Sequence, residues 1–431
     1  MSDAAIDHDV RGMSAEQAAA LPACGKRLKS IYFEISRPAS AMELSYRMRV
    51  LSAIAISFVV LGHVNFTGSL EVTLTEPMTF QGWFPYYSFH LPLFLFISGY
   101  FFHDLPEDKT FFPALLRWIG KKAGKLLVPY YVFSGLSLLF NAWLHTRGFT
   151  FGDSFSVTEW LAGPWTKPYF VSFATPVWYL PALFIAEILF LLLRVVFRRL
   201  FKRSLLRETL LLAVTLAVGA AAVYRNETAA PSGTALVYLR SVVMLFFMQA
   251  GALYRRHLEK HDTLKSPWYF LIVFIAQFLL IVLSGNGSLS PGLYELKDFG
   301  KTGWVYIAGG LTGLMLWLRV STLIASFPRQ SRLLTFIGKN TLYIMGLHVF
   351  SWFLFNGLLS WLYAYDRRMV LVDRFSNRWY HSFLYYCHTE NPRMILLYYL
   401  IGMALPLLIA WLLQASFRLL RRTYLFCRRR V

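Results

Sequence analysis

Apolar stretches of about 20 residues, the length a helix needs to cross a bilayer, recur along almost the whole chain. They fall near residues 45–66, 86–104, 126–144, 173–193, 209–224, 236–254, 267–284, 304–324, 341–363 and 394–416. Inside hydrocarbon no water is present to satisfy the backbone, so such segments must bond internally as helices. The pattern predicts an all-α fold, a polytopic integral membrane bundle of about ten transmembrane helices. Composition agrees: 56% of residues are hydrophobic and 15% charged, where soluble domains carry about a quarter charged residues. A soluble enzyme is thereby excluded.

The net charge of +20, from 43 Lys and Arg against 23 Asp and Glu, would suit a nucleic-acid partner if it lay on one exposed face. Instead, with the N-terminus placed in the cytoplasm, about three quarters of the basic residues gather on tails and inner loops, the positive-inside pattern. Nucleic acid is set aside, and the bilayer is the expected partner. An even number of spans puts both termini in the cytoplasm. The expected organisation is a polar N-terminal tail over 1–44 that is largely disordered, a membrane domain over 45–416 and a basic tail over 417–431. The N-terminal tail has no apolar run, so no cleavable secretory leader is expected. Cys24, Cys387 and Cys427 are far apart, which offers neither a disulfide framework nor a zinc site. His257 and His261 stand four apart but lack a third ligand nearby, so no metal is expected. No phosphate loop, dinucleotide fingerprint or nucleophile elbow is present. The outer loops, 67–85, 145–172, 285–303 and 364–393, are long and rich in Gly, Pro, Trp and Tyr.

Polar groups inside spans are costly and point to function or to buried pairing. His63 stands near the far end of the first span, RMRVLSAIAISFVVLGHVNF (47–66), where an imidazole can act as general base on a hydroxyl or serve as an interfacial hydrogen-bond donor. Arg49 precedes it by a spacing that puts the two about 40° apart around the helix and roughly 21 Å apart along it. One stripe thus carries a cation at the cytoplasmic end and an imidazole deeper in. That suits a long anionic donor with its phosphates at the surface, the shape of acyl-coenzyme A; the plainer reading makes Arg47 and Arg49 snorkelling anchors. His90 could orient His63 or meet the acceptor, and Ser98-Gly99 allows close approach of a helix or a ligand. Glu187 and Arg240 are the clearest charges within spans, with Arg49 a possible partner for Glu187 and an acidic sugar a possible ligand for Arg240. His348 follows Gly338-Lys339-Asn340-Thr341, where Asn340 or Thr341 would cap a helix and Lys339 would help to hold a phosphate.

Five blocks in order, Arg49 through His63, FHLPLFLFISGYFF (89–102), KLLVPYYVF (125–133), VWYLPALF (177–184) and FIGKNTLYIMGLH (336–348), resemble the membrane acyltransferase-3 family. The likeness is greatest to its fucose 4-O-acetylase-like branch of sugar O-acetyltransferases. It implies a bacterial inner-membrane acyltransferase that moves an acyl group, usually acetyl, from cytoplasmic acetyl-CoA to a hydroxyl of an exopolysaccharide, O-antigen or lipid-linked sugar. By position, His63 matches the family's essential first-helix histidine, and Ser98-Gly99-Tyr100 its second-helix block. The family commonly has an arginine eleven residues before the histidine. Ser52 stands there in this chain, with Arg49 one turn earlier.

On this reading His63 and His90 are the catalytic candidates, with His63 as base or transient acyl carrier. Arg49, Ser98, Gly99, Lys121, Lys122, Arg332 and Lys339 would bind the donor, and Trp178, Glu187, Arg240 and His348 the acceptor. The alternatives are a transporter or flippase of a lipid-linked glycan, and an acyltransferase acting on a lipid or small molecule. The transporter reading expects inverted repeats, and the sequence shows none.

Overall fold

The computed structural model describes residues 41–64, 83–106, 110–168, 172–229, 232–284, 292–294, 296, 304–327, 329–365 and 394–428. These residues form twelve α-helices. In chain order they are α1 (Ala41–Val64), α2 (Tyr86–Tyr100), α3 (Phe111–His145), α4 (Val157–Thr166), α5 (Tyr179–Leu200) and α6 (Ser204–Ala229). There follow α7 (Gly233–Leu253), α8 (Ser266–Ser284), α9 (Trp304–Ala325), α10 (Arg332–Lys339), α11 (Thr341–Tyr365) and α12 (Met394–Arg428). No strand occurs among the described residues, as an all-helical membrane bundle requires.

Among the described residues, nine helices are long and apolar enough to span a membrane. The tenth expected span is α2, only 15 residues long, which gives it roughly 22 Å of length. Pro85 immediately precedes it, and a proline has no N–H to extend the helix backwards. Other boundaries also differ from expectation. Hydropathy placed the third span at 126–144, yet α3 begins at Phe111 because Arg117, Lys121, Lys122 and Lys125 interrupt the apolar pattern without breaking the helix. The short stretch 209–224 is the middle of the longer α6. The expected loop 145–172 contains α4, which Ser156 caps by accepting from the Glu159 N–H at 3.4 Å. The last span and the basic segment after it form one continuous helix through Arg428. Loops 67–85, 285–303 and 364–393 lie mostly outside the described residues.

The core forms around α2 and α7. α7 packs on α2, α5 and α6, while α1 packs on α2, α9, α10, α11 and α12; α8 covers α9 and α3 covers α5. In α7, 72% of the apolar span is buried, against 28% in α3, 22% in α8 and 28% in α12. The peripheral helices turn Leu136, Leu279 and Leu412 outward, as a lipid-facing surface demands.

Helices gain little from the hydrophobic effect inside lipid, so close van der Waals packing must hold them. At the α2–α7 crossing, a Cβ on Gly99 would lie 1.8 Å from the Met248 carbonyl oxygen, and one on Gly251 would lie 2.1 Å from that of Phe96. Only hydrogen fits at either position. Gly338 of α10 meets the Arg49 carbonyl in the same way, at 2.2 Å from where a Cβ would stand.

Gly99→Ala is expected to force backbone apart at the centre of the bundle and to cost at least the 1–3 kcal/mol usual for overpacking, about 3 kcal/mol or more here. Gly357→Ala in α11, where a Cβ would meet nothing within 4 Å, should be neutral or gain up to about 1 kcal/mol of helix propensity. Thermal unfolding of the two variants in detergent separates these outcomes.

Candidate active site: a histidine pair at one end of the first helix

The far end of α1 brings His63 against α11. His63 Nδ1 lies 2.8 Å from His348 Nε2, with the two rings stacked 5.0 Å apart and only 5° from parallel. His348 is fully buried, and its Nδ1 faces the Ile344 carbonyl at 2.8 Å. A carbonyl only accepts, so His348 Nδ1 carries the proton and its Nε2 is the acceptor. His63 must then donate through Nδ1, which leaves Nε2 of His63 with a bare lone pair. The tautomer of the base candidate is thus set by a backbone carbonyl four residues before its partner. Trp352 braces the pair from the other side, standing edge-on to His348 at 5.0 Å while its indole N–H donates to the Tyr398 carbonyl at 2.7 Å.

His348 was expected among the acceptor contacts; its position makes it the partner that holds His63. His90 does not hold His63. It is buried, and its Nδ1 donates to the Tyr86 carbonyl at 2.5 Å. His90 stands edge-on to Tyr87 at 5.2 Å, and the Tyr87 ring lies 6.3 Å from that of His63. The two histidines therefore flank one tyrosine without touching through a hydrogen bond.

The donor candidates divide into groups at the opposite end, roughly 21–24 Å away along α1. Arg49 is half-buried beside Gly338, with Arg332 and Lys339 exposed at the two ends of α10. Lys121 is exposed on α3. Lys122 pairs with Glu187 at 2.6 Å, so Glu187 meets neither Arg49 nor Arg240. Gly99 has no space for a ligand atom, because the Met248 backbone fills it; Ser98 beside it is half-buried. Asn340 does not cap α11 with its side chain: its amide donates to the Phe336 carbonyl at 2.7 Å and its Oδ1 accepts from Gln414 at 2.7 Å. Arg240 lies against Trp178, with the guanidinium carbon 4.4 Å from the ring centroid.

A family model described as an acyltransferase domain matches residues 46–415, from the start of α1 into α12. The chain belongs to the acyltransferase-3 family. It is accordingly a membrane acyltransferase, and the matched region contains both histidines of the pair. Comparison with curated proteins and with solved structures finds no match.

In this acyltransferase the end remote from His63 is held by buried ion pairs that hydropathy did not reveal. Arg47, expected as an anchor, is buried; it pairs with Glu259, which also accepts from the Tyr100 hydroxyl at 2.8 Å. Arg319 pairs with Asp262, and Tyr254 donates to the same carboxylate at 2.8 Å. Arg194 bonds Asp104 at 2.7 Å and Glu208 at 2.8 Å, with Gln249 and Arg256 closing the network. The one available signal was position. Arg194, Glu208 and Asp104 each stand at the edge of a predicted span, at one membrane level.

Burial alone would raise the Asp104 carboxyl, but the hydrogen bonds and charges of Arg194 and Arg256 outweigh it and hold the group well below the usual carboxylate range. Its stabilising contribution is therefore complete well above pH 3.8, its ordinary value, and drains away as pH falls below that. Acid unfolding of Asp104→Asn protein should be less steep across this window than that of the wild type. Glu208→Ala, which leaves the buried Arg194 and the half-buried Arg256 to share the one carboxylate of Asp104, should cost about 3 kcal/mol, measured as a fall in the thermal midpoint.

Proposed function

We propose that the protein is an O-acyltransferase that moves a short acyl group, acetyl in the first instance, from acyl-CoA to a hydroxyl of an envelope or extracellular glycan. The setting proposed is a bacterial cytoplasmic membrane, with the Arg47 end toward the cytoplasm. The observation that carries the reading is the His63–His348 pair, which leaves His63 Nε2 as a lone pair of fixed direction at the end of α1. The likeness of the five sequence blocks to the fucose 4-O-acetylase-like branch supports a sugar acceptor. The basic group of Arg49, Arg332 and Lys339, with Lys121 on α3, supports an anionic donor that enters from the opposite end; Lys122 is taken up by Glu187.

The step follows from the tautomers. His63 Nε2 takes the proton of the acceptor hydroxyl as its oxygen forms the new bond to the thioester carbonyl carbon. The carbon–sulfur bond then breaks, coenzyme A leaves as a thiolate, and the proton on His63 passes to that sulfur. While His63 holds the extra proton, its Nδ1–H still donates to His348 Nε2, so the charge forms beside a fixed acceptor instead of an empty apolar wall. His348 touches no reacting atom in this scheme and acts as a positioning residue. Arg49 and its neighbours bear the phosphate charge of the donor.

Membranes containing the protein are expected to release coenzyme A from acetyl-CoA when supplied with a glycan acceptor from the host envelope. His63→Ala should reduce this by about 10²–10⁴-fold, the range typical of a lost acid–base group. Arg49→Ala should chiefly raise the KM for acetyl-CoA. His348→Ala should lower kcat with little change in that KM and alter the pH profile, while His348→Gln, whose amide oxygen can accept from His63, should recover part of the rate. Undiminished release by His63→Ala membranes would reject the assignment.

A further inference from the structure

Of the buried arginines, Arg47, Arg194 and Arg319 each meet a carboxylate. Arg240 is only 1% exposed and pairs with no acid among the described residues. Its Nε and Nη1 have no hydrogen-bond acceptor. Its one organised contact is the Trp178 ring at 4.4 Å, and Trp178 is in turn held by Tyr294 at 5.3 Å. A cation–π contact orients a guanidinium without satisfying its N–H groups. A charge in this state is expensive, and the described residues that supply acids to three other arginines supply none to this one.

The space beside it is a narrow slot of about 10 Å³, room for a single ligand oxygen, that Arg240, Trp178, Tyr130 and Lys167 help to line. Lys167 at the rim is itself engaged with Glu159 at 2.8 Å on the exposed side, so Arg240 is the cation of the cleft without a carboxylate among the described residues. Arg240 lies eight residues along α7 from Met248, about 12 Å from the Gly99 crossing and toward the His63 end. The 3₁₀ turn ending at Trp178 packs on α11, the helix of His348. The cleft and the histidine pair therefore belong to the same end of the bundle.

We infer that this cleft is an anion subsite for the acceptor, in which Arg240 receives a carboxylate or phosphate oxygen that no described residue provides. The acceptor is then a uronic-acid-bearing glycan or a glycan attached to a phosphate-bearing carrier. The word acceptor rests on the acyl-transfer reading; the anion subsite does not.

The test is thermal unfolding of the detergent-purified full chain with glucuronate, glucose 1-phosphate, inorganic phosphate or neutral glucose, in the absence of any coenzyme A compound. At about ten times the dissociation constant, at least one anion should raise the wild-type midpoint by about 1–2 °C over glucose. Stabilisation by glucuronate alone identifies a carboxylate, and stabilisation by both phosphate compounds a carrier phosphate. Arg240→Gln and Arg240→Met should lose the response, and Arg240→Lys should keep part of it. Because a ligand-free buried charge is removed, Arg240→Met should melt at or above the wild-type midpoint, which guards against a variant that simply fails to fold. The inference is overturned if no anion acts on the wild type, or if the anions act equally on Arg240→Gln. His63→Ala protein should retain the anion response, so loss of the subsite and loss of acyl transfer are read separately.

Discussion

The bundle depends on one approach of backbone to backbone. Where Gly99 of α2 meets Met248 and Gly251 of α7 meets Phe96, the helices come as close as main chains allow. α7 then carries α5 and α6, and α2 carries α1 and α9. In a solvent as apolar as the side chains themselves, that fit replaces the drive that burying Leu or Phe would give in water. Because α1 is positioned from α2, the direction of the His63 side chain is inherited from a contact at the other end of the second helix.

The polar groups follow a division of labour along the same axis. At the Arg47 end, the segment after α7 sends Glu259 to α1 and Asp262 to α9, while Arg256 reaches the cluster of Arg194, Asp104 and Glu208. Acids there are consumed by internal pairs, and Arg49, Arg332 and Lys339 are left to set the local potential. At the His63 end the described helices bury one cation, Arg240, while Lys167 and Glu159 pair with each other on the exposed side.

Much of this was legible in one dimension. Hydropathy found every spanning segment, and the depth of His63 and its stripe with Arg49 follow from helical geometry alone. What hydropathy does not encode is rotation about each axis and the identity of lateral neighbours. Thus Glu187 looked free to meet Arg49 but faces Lys122, a residue on α3 whose helix begins well before its apolar part. His90, within the second family block, was read as orienting His63 or meeting the acceptor, yet the partner of His63 is His348, 285 positions away. Asn340 looked like a cap because its residue type favours that role; tertiary contact with Gln414 took its side chain instead. The ion network escaped notice because a span boundary drawn one residue short moves a buried arginine into an imagined loop.

The hydrogen bond between α1 and α11 also has a bearing on biogenesis. Helices insert in order of synthesis, so α1 is in place long before the segment bearing His348 leaves the ribosome. Until then His63 has no acceptor for Nδ1–H, and its ring is free to turn and to exchange tautomers. The pairing of His63 with His348 is thus a late event in assembly, timed by the order of the helices.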